Sequence, residues 1–463
     1  MTNIDIQNTP NPRRQCMRLM FLAAIMLLAV GCASQKTITT RYPDRIPPGK
    51  EFEADRNPIE FEKSFEAEVP GDSLTLEHAL ALALLHNPDL NAQSWTISAK
   101  EALALQASLL PNPELAVEIE NIAGSGNFSG LNQSETTLQL SQLVELGGKR
   151  AKRTRVSALE SDLAAWDYEI IRLDVLAQVT LAFTDLISAQ ERRALNQELV
   201  NLAQEFVAMV LRRVEAGATS PAEASRARVA LSNAQIELER SEREITAARR
   251  RLAATWGSQD PFFQEAIGSL TVDVDIPEVG DLLRLVSQNP EVARWAVEME
   301  YRRALLSLEQ AGGIPDPRIS GGVRRVNETD DNAFVAGISL PLPIFSRNQG
   351  STAAAGAQIN QAEWSQRATQ VRTIALLTQF YEALLTAFNE VKKLQNEVLP
   401  EAQNAFDTIT AGYNLGKFGF LDVLDAQRTL FNSRAQYLRA STEYNRLKAE
   451  VERLIGQSLD SIQ

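Results

Sequence analysis

Few residues in this chain have the types and spacing that chemistry needs. Its 463 residues include 2 Cys and 2 His, too few for the Cys/His sets that hold soft metals. His78 and His86 lie eight positions apart, about two helical turns, near enough to one face to suggest a metal pair. No Cys or paired carboxylate falls in register with them, so ordinary helix histidines are the simpler reading. Gly147-Gly148-Lys149 resembles a phosphate loop in part, but Leu143 and Arg150 stand where Walker A needs Gly and Ser/Thr. A glycine hinge between a strand and a helix is the simpler reading. Lys149, Arg150, Lys152, Arg153 and Arg155 crowd a helix start, where positive charge opposes the helix dipole. They suit either anionic lipid headgroups or a solvated face. Asp422 and Asp425, three apart, share one side of a helix. From spacing alone, Asp422 balances a helix dipole and Asp425 is a surface charge.

Composition narrows the rest. The net charge of −13 removes the basic surplus that nucleic-acid binding requires. No run of 18 apolar residues exists, so a membrane span would have to be a β-barrel. No nucleophile–base pair or paired carboxylates stand out, so no enzyme activity, catalytic residue, metal site or cofactor is expected.

The N-terminus reads as an address. Arg13, Arg14 and Arg18 precede the apolar run Leu19–Gly31, and Cys32 follows it. That order is a secretory signal over residues 1–31, with Met17 an alternative start. A Cys directly after a small residue suggests lipoprotein processing, with a covalent lipid on Cys32. Ala33 rather than Asp then favours the outer membrane. Residues 32–72, with Pro43, Pro47, Pro48, Pro58 and Pro70 among charges, read as an extended strap.

The remainder is one pattern written twice. Asn87-Pro88 returns as Asn289-Pro290, Pro111-Asn112-Pro113 as Pro315-Asp316-Pro317, Gly217 as Gly416 and Gly257 as Gly456, all about 200 positions on. That is too long for a solenoid unit. It implies a duplicated subdomain, residues 73–257 and 281–456, with a linker at 258–280 and a short tail at 457–463. Each copy orders helix, strand, strand, long helix, turn, long helix. Thr75 to Leu110 reads as a helix stopped by Pro111. Leu115–Glu120 and Thr136–Ser141 alternate with period two, as do Arg318–Val326 and Phe334–Leu340. One face is apolar (Leu115, Val117, Ile119, Leu138, Leu140, Phe334, Ile338). The other is small or polar (Glu118, Glu120, Gln139, Ser141, Gly337, Ser339), as lipid outside and water inside would require. A half-buried sheet in a soluble domain would look the same.

The helices are more explicit. Ala227, Leu231, Ala234, Leu238, Ser241, Ile245, Ala248 and Leu252 alternate steps of four and three, as do Ala426, Leu430, Ser433, Tyr437, Ala440, Tyr444, Leu447, Val451 and Leu454. This is a coiled-coil seam, with small residues that let helices approach closely. Lys149 to Glu215 holds no Pro or Gly, predicting a helix of about 100 Å. The helices reverse at two tips. Gly217, Thr219 and Ser220-Pro221 make the first; Gly416, Lys417, Phe418 and Gly419 make the second.

Together these residues resemble the TolC-like outer-membrane efflux factors, in the lipoprotein branch of heavy-metal RND systems (CzcC/CusC-like, NodT-type). The resemblance is carried by Leu76-Glu77-His78-Ala79-Leu80 before Asn87-Pro88, Gln139-Leu140-Ser141-Gln142 before Leu146-Gly147-Gly148-Lys149-Arg150, Leu340-Pro341-Leu342-Pro343-Ile344-Phe345, and Leu421-Asp422-Val423-Leu424-Asp425-Ala426. It implies an α+β membrane protein, mostly α, that forms a homotrimer. Four strands per protomer would build a 12-stranded transmembrane β-barrel continuous with a periplasmic α-helical barrel. It implies an outer-membrane duct of a tripartite RND-type efflux system, exporting heavy-metal cations. The partners would be outer-membrane lipid, a periplasmic membrane-fusion adaptor at the tips (Gly217, Thr219, Ser220, Gly416, Lys417, Phe418) and an inner-membrane RND pump. Asp422 and Asp425 would line the periplasmic gate. The alternatives are a periplasmic coiled-coil membrane-fusion adaptor lipoprotein, which usually carries one helical hairpin rather than two, and a lipoprotein enzyme of the cell envelope.

Overall fold

The computed structural model describes residues 73–272 and 276–462. Cys32, the signal segment and the strap lie outside the described residues. In chain order the main elements are β1 (Ser73–Thr75), α1 (Leu76–His86), α2 (Pro88–Ser108), β2 (Glu114–Glu120), β3 (Glu135–Leu143), α3 (Lys149–Glu215) and α4 (Pro221–Ala254). There follow β4 (Glu265–Ile267), α5 (Val279–Leu285), α6 (Pro290–Gly312), β5 (Arg318–Val326), β6 (Asp331–Ser339), α7 (Gln349–Lys393), α8 (Leu399–Asn414) and α9 (Phe420–Ile455).

The uninterrupted stretch becomes one helix: α3 runs 67 residues. The expected helix from Thr75 to Leu110 is instead two, α1 and α2, hinged at Asn87. Pro88 disfavours helical backbone in the residue before it, and Asn87 sits extended at φ −60°, ψ 125°. Asn87 then caps α2, accepting from Asp89 N at 2.9 Å and Leu90 N at 3.0 Å. Its amide donates to Thr255 O beyond the end of α4 at 2.7 Å. Asn289 repeats this in the second half, accepting from Glu291 N at 2.8 Å and donating to Leu454 O in α9 at 2.9 Å. Each buried Asn thus fastens the start of a helix to the far end of its repeat.

The two hairpins join in one antiparallel sheet, ordered β2-β3-β5-β6. β6 begins at Asp331, three residues before the expected Phe334, because Asn327–Asp330 suffices to turn the chain, with Asp330 left-handed at φ 61°. The register puts Val117, Leu138, Val323 and Phe334 in one row and Glu118, Thr137, Arg324 and Ala333 in the next. The apolar and polar faces are therefore real and opposite. β1 and β4 form a separate parallel pair.

Helices α4, α3 and α9 pack side by side, with α7 and α8 on the far side of α9. The expected seam positions Ala227, Ala234, Ser241, Ala248 and Leu252 are buried, as are Ala426, Leu430, Ser433, Ala440, Tyr444, Leu447, Val451 and Leu454. Three cores form along the helices. One joins α1, α3 and α4 around Val179, Leu186 and Leu252. Its second-repeat counterpart joins α5, α7 and α9 around Leu384, Val391 and Val451. The third lies at the tips and takes Phe206, Phe406, Tyr413, Phe420 and Val423 from both repeats.

Candidate functional site

No helix among the described residues is long and apolar enough to cross a membrane. The features that could act on a membrane or a cargo are the sheet, the junctions below it and the tips.

On the sheet's apolar face Leu115, Val117, Ile119, Leu138, Leu140, Phe334 and Ile338 are all exposed in the protomer. On the polar face Arg324 ties three strands together. It meets Glu120 at 3.1 Å and Glu135 at 2.8 Å, and its Nε donates to Thr137 Oγ1 at 3.0 Å. Gln139 Nε2 donates to Ser320 Oγ at 2.7 Å on the same face. Sequence periodicity found the faces but not Arg324, whose partners are placed by the pairing of β3 with β5.

At the junction, Gly147 and Gly148 have φ of +67° and +69°. They are a hinge, as the simpler reading held: glycine takes this left-handed backbone at little cost. Most of the basic run is paired within the protein rather than free, while Arg150 is exposed. Lys149 bonds Asp316 at 2.7 Å, Arg153 bonds Glu145 at 2.6 Å, Lys152 donates to Ser307 O at 3.2 Å and Arg155 pairs with Glu300. Burial raises the Asp316 pKa. The hydrogen bonds from Lys149 and the Leu146 amide, with the Lys149 charge, outweigh it and leave that carboxyl below its ordinary value.

His78 faces the start of its own helix, its Nδ1 3.0 Å from Thr75 Oγ1, while His86 is exposed at the other end of α1. Among the described residues no three His, Cys, Asp or Glu side chains come together at metal-binding range.

The tips share one backbone design. Ala218 N bonds Arg213 O and Gly217 N bonds Val214 O, at 2.8 and 3.0 Å. Lys417 N and Gly416 N repeat this to Gly412 O and Tyr413 O at 2.8 and 3.0 Å. Both are helix-ending Schellman turns, with Gly217 and Gly416 at φ +71° and +75°. Ser220 caps α4 by accepting from Ala222 N at 3.2 Å. The surfaces differ. Gly217 and Ser220 are exposed and Thr219 half-buried, a small and polar set. Around exposed Gly416 and Lys417 the second tip bares Leu415, Phe418 and Leu421. Leu415 and Leu421 were not among the tip contacts read from the sequence; four apolar residues within seven positions (Leu415, Phe418, Phe420 and Leu421) beside a glycine turn were the available signal.

Arg213 binds the tips together. Its guanidinium lies 4.4 Å from the Tyr413 ring centre, and Nη1 donates to Tyr413 O at 3.0 Å. Burial pushes the Tyr413 pKa up against the pull of Arg213. Its buried hydroxyl has no hydrogen-bond partner among the described residues, a cost of about 1–3 kcal/mol in the isolated protomer.

Asp422 and Asp425 are both exposed on α9 just beyond the second tip. They are not equivalent. Asp422 Oδ2 accepts from Gly419 N at 2.8 Å, closing the first turn of the helix. Asp425 projects to solvent one turn later.

A family profile described as outer membrane efflux protein matches residues 79–258 and 283–457. The chain belongs to that outer membrane efflux protein family. This efflux protein is similar to cobalt-zinc-cadmium resistance protein CzcC of Cupriavidus metallidurans, at 35% identity over 83% of this chain and 90% of that one. It is also similar to nickel and cobalt resistance protein CnrC of the same organism, at 27% identity over 65% of this chain and 70% of that one. Its fold is similar to a solved structure of CusC, with a TM-score of 0.70 at 16% identity, covering 83% of this chain and 92% of that one. The adaptor reading fits this family and fold less well, because both strand-pair and hairpin halves fall within the match. The efflux protein is an outer-membrane channel component.

Proposed function

We propose that this efflux protein is the outer-membrane duct of a tripartite RND-type system and that its cargo is heavy-metal cations. One observation carries the architecture. The sheet exposes a whole apolar face and leaves β2 and β6 as open edges. Lipid tolerates neither unpaired backbone nor open edges, so a membrane-spanning form needs further copies to close the ring. Three copies give twelve strands, within the sizes known for such barrels. The free sides of α4 and α7 would meet in the same closure and continue the wall as a helical barrel. In this reading residues 73–257 and 281–456 are the two repeats, 258–280 the linker, and Cys32 carries the lipid anchor ahead of the 32–72 strap. The tips, Gly217, Thr219, Ser220, Gly416, Lys417 and Phe418, meet a membrane-fusion adaptor that links the duct to an inner-membrane RND pump. Three copies of Asp422 and Asp425 form acidic rings at the periplasmic gate and favour cations.

The metal cargo is supported by the names of CzcC and CnrC, both metal resistance proteins. Metal tolerance and cell metal content, measured in a strain lacking the gene and in its complement, test it. Restored cobalt, zinc or cadmium tolerance with lowered cell metal is the expected result. Unchanged metal content, with altered tolerance to organic compounds instead, overturns the cargo. Light scattering in detergent reports the copy number, and a stable monomer overturns the duct.

A further inference from the structure

We propose that Trp95 on α2 of one copy and Trp364 on α7 of the next meet as a clasp, at the centre of two matching seams that close the helical wall beneath the sheet. The proposal rests on the channel reading above and adds the residues by which one copy recognises another.

Two unused seams are the first observation. Ala92, Trp95, Ala99, Ala102 and Gln106 follow one another by steps of three and four, and so do Ala353, Ala357, Asn360, Trp364, Arg367 and Val371. All are exposed in the protomer, Trp95 to 74% and Trp364 to 71%. Each seam lies opposite the side on which its helix is packed. Gln93 and Lys100 hold α2 to α3, through Ala164 O at 3.1 Å and Glu160 at 2.9 Å. Gln358 takes Arg302 of α6 at 3.2 Å, between buried Ala355 and Ala362. With 3.6 residues per turn, Trp95 and Trp364 stand on the far sides of those contacts.

Topology says what covers them. Below the sheet the helices follow in the order α2, α3, α6, α7, so the two seams lie on opposite edges of one copy. α2 leads into β2, and α7 follows β6. These two strands are the open edges of the sheet. When β2 of one copy pairs with β6 of the next to close the ring, α2 comes to lie beside the next copy's α7. One helix runs toward the sheet and the other away from it, so the two meet antiparallel.

The heights agree. Glu160 accepts from both Lys100 and the Tyr301 hydroxyl, at 2.9 and 3.2 Å, and Arg302, beside Tyr301, reaches Gln358. Lys100 and Gln358 therefore sit at one level of the wall. Trp95 is five residues from Lys100 and Trp364 six from Gln358, both on the side away from the sheet. At 1.5 Å per residue that is about 8 Å and about 9 Å. With the tryptophans level, the antiparallel register sets Ala99 against Asn360, Ala102 against Ala357 and Gln106 against Ala353. Two large rings thus meet where small neighbours leave room for them. Charge agrees as well. Arg367 falls beside Ala92, one turn from Asp89. Neither the Arg367 guanidinium nor the Asp89 carboxylate has a partner among the described residues, and Asp89 and Ala92 line a groove between α2 and α3. A cation from the next copy suits that acid.

Paired cysteines test the register without touching the tryptophans. Full-length Ala102→Cys/Ala357→Cys protein in detergent, oxidised in air with copper phenanthroline, should run as covalent dimer and trimer on a non-reducing gel. The single variants, which keep Cys32, give the background. Ala92→Cys/Ala357→Cys is displaced by about 15 Å, beyond disulfide reach, and should give about tenfold less product. An intact trimer that stays uncrosslinked through Ala102 and Ala357, or that crosslinks equally through Ala92, overturns the pairing. Trp95→Ala and Trp364→Ala test the clasp itself, read from the temperature at which the trimer dissociates in detergent. Each should lower that temperature by several degrees, and the double variant should lower it little further, because both remove one contact. Losses that simply add mean that the rings do not touch, and they overturn the clasp. A wild-type protein that is monomeric in detergent sinks the channel reading; a trimer without the crosslink sinks this interface alone.

Discussion

The first rods of the two long hairpins differ in backbone at one place, and the difference separates a strut from a joint. α3 rises through 67 residues without a break. Its counterpart covers a similar length as α7 and α8, but residues Leu394–Val398 between them form a π-helical turn. Pro400 lies just beyond, where it removes one backbone donor and crowds the carbonyl four residues earlier. A widened turn is a common accommodation. Leu394 belongs to the middle core of the second repeat, whereas Ala402 and Phe406 belong to the tip core. The joint thus falls between two packed regions, on the hairpin that carries Asp422 and Asp425. Duplication kept the same turns at both tips and changed the rod that leads to one of them.

The comparison is strongest where the halves should behave alike. Asn87→Ala and Asn289→Ala each remove a helix cap and a buried bond across the repeat. Each should lower stability by about 2–4 kcal/mol, read from thermal unfolding in detergent. A large loss for one and none for the other would break the equivalence of the repeats.

Next comes the Lys149–Asp316 tie between the halves. The depressed Asp316 pKa means its stabilisation is full above its unfolded value near 3.8 and is lost as pH falls through the lower folded value. Asp316→Asn should therefore cost about 1–2 kcal/mol near neutrality and almost nothing in strong acid. A deficit that persists undiminished in strong acid would show that packing, not charge, holds the junction.

The acidic pair sharpens the comparison further. Asp422→Ala should cost about 1 kcal/mol through its lost cap, and Asp425→Ala almost none. If both line the gate, each substitution should nonetheless weaken cation preference in single-channel recording and block by divalent ions. Wild-type preference in the double variant would leave Asp422 a cap and Asp425 a surface charge.

The smallest effect concerns the joint. Hydrogen exchange at Leu394–Val398 should exceed that at the matching height of α3. Pro400→Ala should slow it while changing stability by less than about 1 kcal/mol. Equal exchange in both rods would remove the distinction between strut and joint.

Much of this was legible in the sequence because the signals were local. The absence of Pro and Gly gave α3 its full span, period two gave the sheet faces, and glycine with Ser220-Pro221 gave the tips. What stayed hidden depends on pairing across the chain. Asn87 read as a marker of repetition, not as the hinge that splits α1 from α2. Asp422 concealed its cap because Gly419, not Ser or Thr, precedes the helix. The basic run beginning at Lys149 looked free because three of its partners, Asp316, Ser307 and Glu300, lie in the other repeat; only Glu145, the partner of Arg153, is nearby in sequence. The Arg324 cluster exists only once β3 meets β5.

The two asparagine latches also bear on how the chain acquires its structure. Asn87 reaches Thr255 across 168 positions and Asn289 reaches Leu454 across 165. Such distant closure carries a large entropic cost that no short segment can repay. Each latch therefore depends on its own hairpin having formed, and each lies wholly within one repeat. Each repeat thus carries its own clasp, while the tip core and the pairing of β3 with β5 wait for both.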